Sequence, residues 1–243
     1  MGDSITALRA ALQEAESIVA LTGAGISAES GIPTFRGKDG LWRNFSPQAL
    51  ATPEAFGRDP KLVWEWYDWR RCLIRKTEPN AGHCALAELE RRQVGRGGSF
   101  ALITQNVDGL HDRAGSRNIL KLHGDIWRLR CVACGAERDN EETPLRELPP
   151  RCGCGAWWRP GVVWFGEELP HDIWEQALAA CSLTKILLVI GTSATVYPAA
   201  GLAQVAREAG AAVAVVNPES SAIENLAQWV LRGPSGEILP RLL

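Results

Sequence analysis

The chain has 243 residues with 26 Lys and Arg, 28 Asp and Glu, and a formal net charge of -2. This length suits one large domain, or one domain carrying a small inserted lobe, and the nearly balanced charge argues against a nucleic-acid binder driven by general electrostatics. No apolar run approaches the length of a membrane-spanning helix and the N-terminus lacks the features of a signal peptide, so we expect a cytoplasmic protein without nucleic-acid or membrane partners.

Apolar runs and amphipathic stretches alternate along the chain. Runs rich in Val, Ile, Leu and Ala predict strands covered on both faces, at Ile18–Thr22, Phe100–Thr104, Ile119–Leu122, Ile186–Ile190, Ala212–Val216 and Gln228–Leu231. Helices are predicted at Ser4–Glu16, Ala81–Arg92, Ile173–Ala180 and Ala199–Ala209, with Ser4 as an N-cap and Gly210 as a stop. This order predicts an α/β fold, a Rossmann-like doubly wound parallel sheet.

The first predicted strand runs into a glycine-rich turn. Gly23, Ala24 and Gly25, followed by Ala28, have the spacing of a dinucleotide fingerprint, in which the glycines make a tight turn and let backbone approach a pyrophosphate. The helix that should follow is broken at once by Gly31-Ile32-Pro33. The turn therefore predicts a nucleotide-phosphate site beside an irregular loop.

Two segments fall outside the alternation of strands and helices. Residues 38–76 are rich in aromatic and charged side chains, and residues 125–159 hold four cysteines between short polar turns. Both segments leave the sheet and return to it. We therefore predict a discontinuous large lobe of residues 1–37, 77–124 and 160–243, and one small helical and metal-binding lobe formed by the two insertions.

The four cysteines of the second insertion have the spacing of a zinc knuckle. The pattern is C-x-x-C, seventeen residues, then C-x-C, formed by Cys131, Cys134, Cys152 and Cys154. Four thiolates fill a tetrahedral shell, so we expect one structural zinc ion. A redox pair is an alternative, although nothing around Cys131 resembles a thioredoxin active site, and His123 could in principle replace one thiolate.

Polar residues follow several strands at the edge where an open α/β sheet binds its ligands. Gln105, Asn106 and Asp108 come after the second strand, and His123 ends the third. The amide and carboxylate groups could bond a ribose or a carboxamide, or Asn106 and Asp108 could simply cap the next helix. A lone histidine at a strand end is more often structural than catalytic, but its place among several ligand-facing strand ends favours catalysis.

Two later strands end in the same way. Gly191, Thr192 and Ser193 follow one of them, and Asn217 and Glu219 follow the next. Small and hydroxyl-bearing residues suit phosphate or ribose contacts, while the amide and the carboxylate are candidates for the adenosine end. Each motif alone is weak, but together they describe one cofactor crossing the sheet edge.

Seven motifs in order carry a family resemblance over nearly the whole chain. They are GAGISAESGIPTFRG, TQNVDGLHDRAGS, KLHG, the cysteine pairs, RPGVVWFGE, GTSATVYPAA and NPE. This set resembles the sirtuins, which are NAD-dependent protein lysine deacylases. The resemblance implies a Rossmann-type lobe, a small zinc lobe and a cleft between them that binds NAD and an acyl-lysine protein.

The resemblance also implies residue roles. His123 is the general base on a ribose hydroxyl and Asn106 orders the reaction centre. Phe35 shields the reactive sugar, Arg36 lies near the phosphates, and Asp108 holds the nicotinamide carboxamide. The remaining NAD contacts are Gly23, Ala24, Gly25, Ser27, Gln105, Gly191, Thr192, Ser193, Asn217, Glu219 and Ser235. Residues 162–167 pair with the substrate peptide by strand addition, with Val163 and Phe165 at the acyl-lysine.

The segment around WEWYDWRR resembles the sirtuin subgroup that removes succinyl and malonyl groups. Tyr67 and Arg70 share one face if the segment is helical, and a phenol with a guanidinium suits a carboxylate. Ala51 leaves room for the longer acyl chain. The alternative is an amphipathic helix whose tryptophans pack and whose arginines, including Arg71, are solvated.

Two other functions are open. A non-enzymatic NAD or ADP-ribose sensor could keep the same fold, although it needs neither His123 nor Asn106. Mono-ADP-ribosyl transfer to protein uses the same cofactor. We expect the protein to act as a monomer.

Overall fold

A computed structural model describes residues 2–35, 41 and 46–243. The strands are β1 Ser17–Thr22, β2 Ser99–Thr104, β3 Ile119–Lys121, β4 Gly124–Cys131, β5 Glu137–Asp139, β6 Trp158–Val162, β7 Ile186–Ile190, β8 Ala212–Val216 and β9 Trp229–Leu231. Six of them form a parallel sheet in the order β3-β2-β1-β7-β8-β9, with each predicted strand in place. The predicted doubly wound α/β fold is confirmed.

Alternate residues of the central strands enter opposite cores. In β1, Ile18 and Ala20 join one buried cluster, whereas Val19 and Leu21 join another on the other face of the sheet. All five residues of β7 are buried. Because both faces need apolar side chains, these strands read as continuous apolar runs in the sequence. The strand order changes direction beside β1, which is where such sheets form a ligand crevice.

The helices described are α1 Gly2–Glu14, α2 Pro47–Leu50, α3 Pro53–Arg58, α4 Pro60–Arg75, α5 Ala81–Gly95, α6 Leu110–Ala114, α7 His171–Leu183, α8 Leu202–Glu208 and α9 Ser235–Ile238. The expected N-cap at Ser4 is wrong, because α1 already begins at Gly2. A 3₁₀ turn, Ala199–Gly201, precedes α8, and Gly210 follows with a left-handed φ of 91°, as its predicted role requires. None of the described helices has the length and apolarity needed to cross a membrane.

A third core holds α2, α3 and α4 against a three-stranded antiparallel sheet, β5-β4-β6. Trp64 is fully buried there, and its indole donates to the Trp158 carbonyl oxygen at 2.7 Å, which ties α4 to β6. The strand β4 was not predicted from the sequence, because its register with β6 shifts between Asp125 and Leu129. At this irregularity Ile126 and Leu129, three residues apart in the sequence, are both buried, which breaks the alternation of a half-buried strand.

Two arginines of α4, Arg70 and Arg71, are buried, so the alternative of solvated arginines is wrong for these two, whereas Arg75 at the end of the helix is exposed. Arg71 is fully buried, and its guanidinium donates to Asn140 and to the Glu142 carbonyl oxygen at 3.1 Å. Arg71 therefore joins α4 to the segment after β5. Arg70 is also buried, but it points into a cavity instead.

Candidate functional site

The glycine turn forms a short 3₁₀ helix in place of an ordinary α-helix. This 3₁₀ helix, Ala24–Ser30, ends at Gly31, whose φ of 89° only glycine adopts readily. A Cβ on Gly25 would lie 2.7 Å from the Gly191 carbonyl oxygen, which accepts a hydrogen bond from Gly25 N at 2.8 Å. The loops after β1 and β7 can therefore touch only because this position has no side chain.

A cavity of about 550 Å³ lies at the carboxyl edge of the parallel sheet. It begins at the glycine turn, passes the ends of β2 and β3, and reaches α4 and the segment after β6. The predicted site residues that line it are Gly23, Ala24, Gly25, Phe35, Ala51, Tyr67, Arg70, Gln105, Asn106, His123, Val163, Phe165, Gly191, Thr192, Ser193, Asn217 and Glu219. Stretches that are far apart in the sequence thus meet around one space.

Three other predicted residues, all among those that the structure describes, are not part of this lining. Ser27 and Asp108 are buried, 1% and 5% exposed; Ser27 accepts a hydrogen bond from Asn106, which lines the cavity, and donates one to Asp108. Ser235 is buried at the start of α9 and donates to Glu29 at 3.1 Å, so it supports the underside of the 3₁₀ helix. Arg36 lies outside the described residues.

Asn106 is held by the glycine turn. Its Nδ2 donates to the Gly23 carbonyl oxygen at 3.1 Å and to Ser27 Oγ at 3.3 Å, and Ser27 Oγ donates to Asp108 at 2.8 Å. Asp108 also accepts from the Leu110 backbone N–H at 2.9 Å, at the first residue of α6, although the N-cap position of that helix is Gly109. Burial raises the pKa of Asp108, and these two hydrogen bonds oppose the rise. The network orders the centre of the cavity.

His123 lines the cavity, and no described residue forms a hydrogen bond with its Nε2. Its Nδ1 lies 3.0 Å from the Gln105 carbonyl oxygen, which can only accept, so Nδ1 carries the hydrogen and Nε2 holds a lone pair. Burial lowers the pKa of His123, and the hydrogen bond to Gln105 partly opposes this. The His123 carbonyl oxygen accepts from Val163 N at 2.9 Å, which links the strand end to the segment after β6. The arrangement suits a general base at neutral pH.

The far end of the cavity holds a buried cation. Arg70 is 6% exposed, and its guanidinium carbon lies 4.9 Å from the ring centres of both Phe35 and Trp66. No described residue accepts a hydrogen bond from it or forms an ion pair with it. Burial lowers the pKa of Arg70 from its very high usual value, but a guanidinium stays charged in proteins. This end of the site therefore offers donors to an anionic group.

Two tryptophans at the Arg70 end of the cavity were not among the predicted site residues. Trp66 and Trp164 both line the cavity and are 5% and 3% exposed. Trp66 packs edge-on against Tyr67, with ring centres 4.7 Å apart. Helical spacing beside Tyr67 and Arg70 was a signal for Trp66, whereas only the fold brings Trp164 to α4.

The four cysteines of the second insertion converge as the spacing predicts. Their sulfur atoms lie within 4.8 Å of one another, with Cys131 and Cys154 at 3.5 Å and Cys134 and Cys152 at 3.8 Å. Backbone N–H groups of Cys134 and Ala133 lower the pKa of Cys131 to about 6, which favours a thiolate. This all-sulfur set could hold one structural zinc ion, and His123 takes no part in it.

Comparisons with known proteins agree with this geometry. A family model described as the Sir2 family matches residues 23–198, well over half of the chain. The NAD-dependent protein deacylase of Aquifex aeolicus is 59% identical over 212 residues, 87% of this chain and 87% of that protein. NAD-dependent protein deacylase 2 of Pyrobaculum aerophilum is 54% identical over 96% of this chain and 92% of its own. A solved Sir2 homologue in complex with NAD is 46% identical, covers 98% of this chain and 91% of its own, and has a TM-score of 0.91. The chain therefore belongs to the Sir2 family.

Proposed function

We propose that the protein is an NAD-dependent protein-lysine deacylase that releases nicotinamide and 2'-O-acyl-ADP-ribose. One observation carries the proposal: a single cavity runs from the glycine turn past Asn106 and His123 to Tyr67 and Arg70. The glycine-lined part suits a dinucleotide, and the part beyond His123 suits an acyl chain. His123 lies between them, where the two substrates meet.

The described residues suit the steps of this reaction. The acyl oxygen of the substrate bonds to the anomeric carbon of the nicotinamide ribose as the bond to nicotinamide breaks. His123 Nε2 then takes the proton of a ribose hydroxyl, and the hydroxyl oxygen attacks the acyl carbon. Addition of one water releases the free lysine amine. Asn106, held by hydrogen bonds to Gly23 and Ser27, supports the ribose. Asp108, which accepts a hydrogen bond from Ser27, supports the carboxamide of the nicotinamide.

Strand addition of the substrate peptide at residues 162–167 is part of the same proposal. Backbone N–H groups of Val163 and Phe165 already donate to His123 and Ala51 carbonyl oxygens, each at 2.9 Å. These bonds hold residues 163–165 between the sheet edge and the end of α2, and a turn follows, in which Glu167 N donates to the Trp164 carbonyl oxygen at 3.1 Å. Phe165 is 45% exposed at the cavity, where a bound peptide can cover it. Action as a monomer in the cytoplasm, and the boundaries expected for the two lobes, stay predictions.

Release of nicotinamide tests the proposal directly. We expect it only when NAD and an acyl-lysine peptide are both present, because the acyl oxygen is the nucleophile. Release that is independent of acylation, with ADP-ribose appearing on protein, would indicate ADP-ribosyl transfer instead. Binding of NAD without any release under either condition would indicate a sensor.

We also propose that the preferred acyl groups are acidic, such as succinyl and malonyl. The support is the buried Arg70 guanidinium, which lines the cavity without an anionic partner among the described residues, beside Tyr67 and above small Ala51. A carboxylate at this place neutralises a charge that is costly to bury.

Arg70→Met tests this acyl preference. Removing one member of a buried charge pair costs about 2–5 kcal/mol, so desuccinylase kcat/KM should fall about 30-fold or more, with a far smaller loss for an acetyl peptide. Arg71 is unsuitable as a control because it is fully buried and structural. Arg75 lies on the same helix with its side chain 57% exposed, so Arg75→Met should change neither activity. Equal loss of both activities in Arg70→Met would make Arg70 structural and end the proposal.

A further inference from the structure

The Tyr67 hydroxyl receives a hydrogen bond at the end of the cavity where Arg70 lies. Trp164 Nε1 is 3.0 Å from Tyr67 Oη, and both side chains are 3% exposed and line the cavity. An indole N–H can only donate, so the phenol oxygen accepts and the hydroxyl hydrogen turns away from Trp164. No described residue accepts a hydrogen bond from this hydroxyl. Tyr67 therefore has a donor to offer a ligand.

Tyr67 keeps that proton at neutral pH. Burial raises the pKa of Tyr67, and the positive charge of Arg70 opposes the rise only in part. The guanidinium of Arg70 carries donors and no acceptor. The side chains of Tyr67 and Arg70 therefore both present hydrogen-bond donors, an O–H and several N–H groups, to a ligand at this end of the cavity.

Trp164 is itself fixed from several sides. Glu167 accepts from the Trp164 backbone N–H at 2.8 Å and also from both Nη atoms of Arg159, at 2.5 and 2.8 Å. The Arg159 guanidinium carbon lies 3.4 Å from the Trp164 ring centre, and the Phe56 ring centre is 5.4 Å from it. The direction of the indole N–H is thus set before a substrate binds. A preset donor costs little reorganisation on binding.

We propose that Trp164 is a positioning residue for acyl selection. Its indole N–H turns the Tyr67 O–H toward the cavity, so that Tyr67 and Arg70 together select an acyl chain ending in acceptors alone, a carboxylate. A carboxamide of the same size brings an N–H₂ group to which Tyr67 and Arg70 offer only donors, and an unmatched buried polar group is costly. The inference rests on the acidic-acyl function proposed above.

One test uses the unaltered protein with NAD and two peptides. The peptides differ only at the acyl end: succinyl-lysine in one, and the primary amide of that succinyl chain in the other. We expect kcat/KM to be about 30-fold or more higher for the carboxylate. Similar kcat/KM values for the two peptides would contradict the inference that Tyr67 and Arg70 select a carboxylate by offering only donors.

A second test is a double-mutant cycle of Trp164→Phe and Tyr67→Phe, read as the ratio of kcat/KM for succinyl over acetyl peptides. Trp164→Phe keeps a ring but loses the N–H, and should lower the ratio about 2- to 12-fold, the value of one neutral hydrogen bond. In a protein that already carries Tyr67→Phe, adding Trp164→Phe should leave the ratio unchanged, because the hydroxyl that the indole N–H positions is absent. An equal effect in both backgrounds, or an unchanged ratio with both activities reduced, would show that Trp164 only packs.

Arg70→Met in the same assay separates this inference from the function on which it rests. If Arg70→Met lowers the ratio and Trp164→Phe does not, the positioning role alone is wrong. If Arg70→Met leaves the ratio unchanged, the acidic-acyl function fails and this inference fails with it. Thermal unfolding checks that each variant is folded, and the two-peptide comparison needs no variant at all.

Discussion

Gly25 lies where two loops of the sheet edge touch. The spacing of the glycines predicted close approach of a phosphate, and the structure adds a second constraint, because a Cβ here would meet the Gly191 backbone at 2.7 Å. A local motif cannot reveal this contact, since its partner is more than 160 residues away in the chain. Most candidate residues at strand ends were predictable, because the fold brings all parallel strand ends to one edge.

The residue whose role can be tested most simply is His123. We expect His123→Ala to bind NAD nearly as the unaltered protein does but to lose about 10²–10⁴-fold in deacylation, the usual contribution of a positioned general base. Calorimetric titration with NAD and peptide turnover measure the two properties. His171→Ala, exposed at the start of α7, is the control. Nearly full deacylation by His123→Ala would eliminate His123 as the base.

The pKa of His123 also predicts a pH profile. The base acts in its neutral form, and burial lowers the pKa of His123 below the usual histidine value of about 6.5. Protonation therefore inhibits only below that pH, and kcat/KM should stay level from neutral pH down to about 6.5 before it falls. An acid limb that begins well above pH 7 would contradict a buried neutral base.

At the scale of elements, the strands of the parallel sheet were the most predictable part. Their apolar runs have one physical cause, burial on both faces, and it acts over the whole length of each strand. The antiparallel sheet of the small lobe escaped prediction because β5 is exposed and β4 changes register. The helix α4 was expected only conditionally, because its sequence mixes three tryptophans with six charged residues and so does not mark out one buried face.

The cysteine cluster should hold β4, β5 and β6 together through a metal ion. We expect one zinc per chain in the purified protein, and a lower zinc content and thermal midpoint in Cys134→Ser, since four thiolates complete the tetrahedral shell. Cys84→Ser is the matched control, because Cys84 is an exposed cysteine on α5 outside the cluster. Fully active protein with little zinc, or with Cys131 in a disulfide, would contradict a structural metal site.

At the scale of the molecule, the cavity joins parts that no single motif describes. The glycine turn, the polar strand ends and α4 come from distant stretches, and their order along the sheet puts nucleotide contacts at one end and an acyl pocket at the other. The family resemblance could predict this cleft. The hydrogen bond between Trp164 and Tyr67 could not be predicted, because it depends on how β6 and α4 pack.

The most direct test of the deacylase account is the fate of the acyl group. One incubation of the protein with NAD and a succinyl-lysine peptide, followed by mass spectrometry, measures every product. We predict equal amounts of nicotinamide, free-lysine peptide and succinylated ADP-ribose at early times, because the acyl group moves to a ribose hydroxyl. Succinate released with unmodified ADP-ribose from the start, or deacylation that does not consume NAD, would contradict the account.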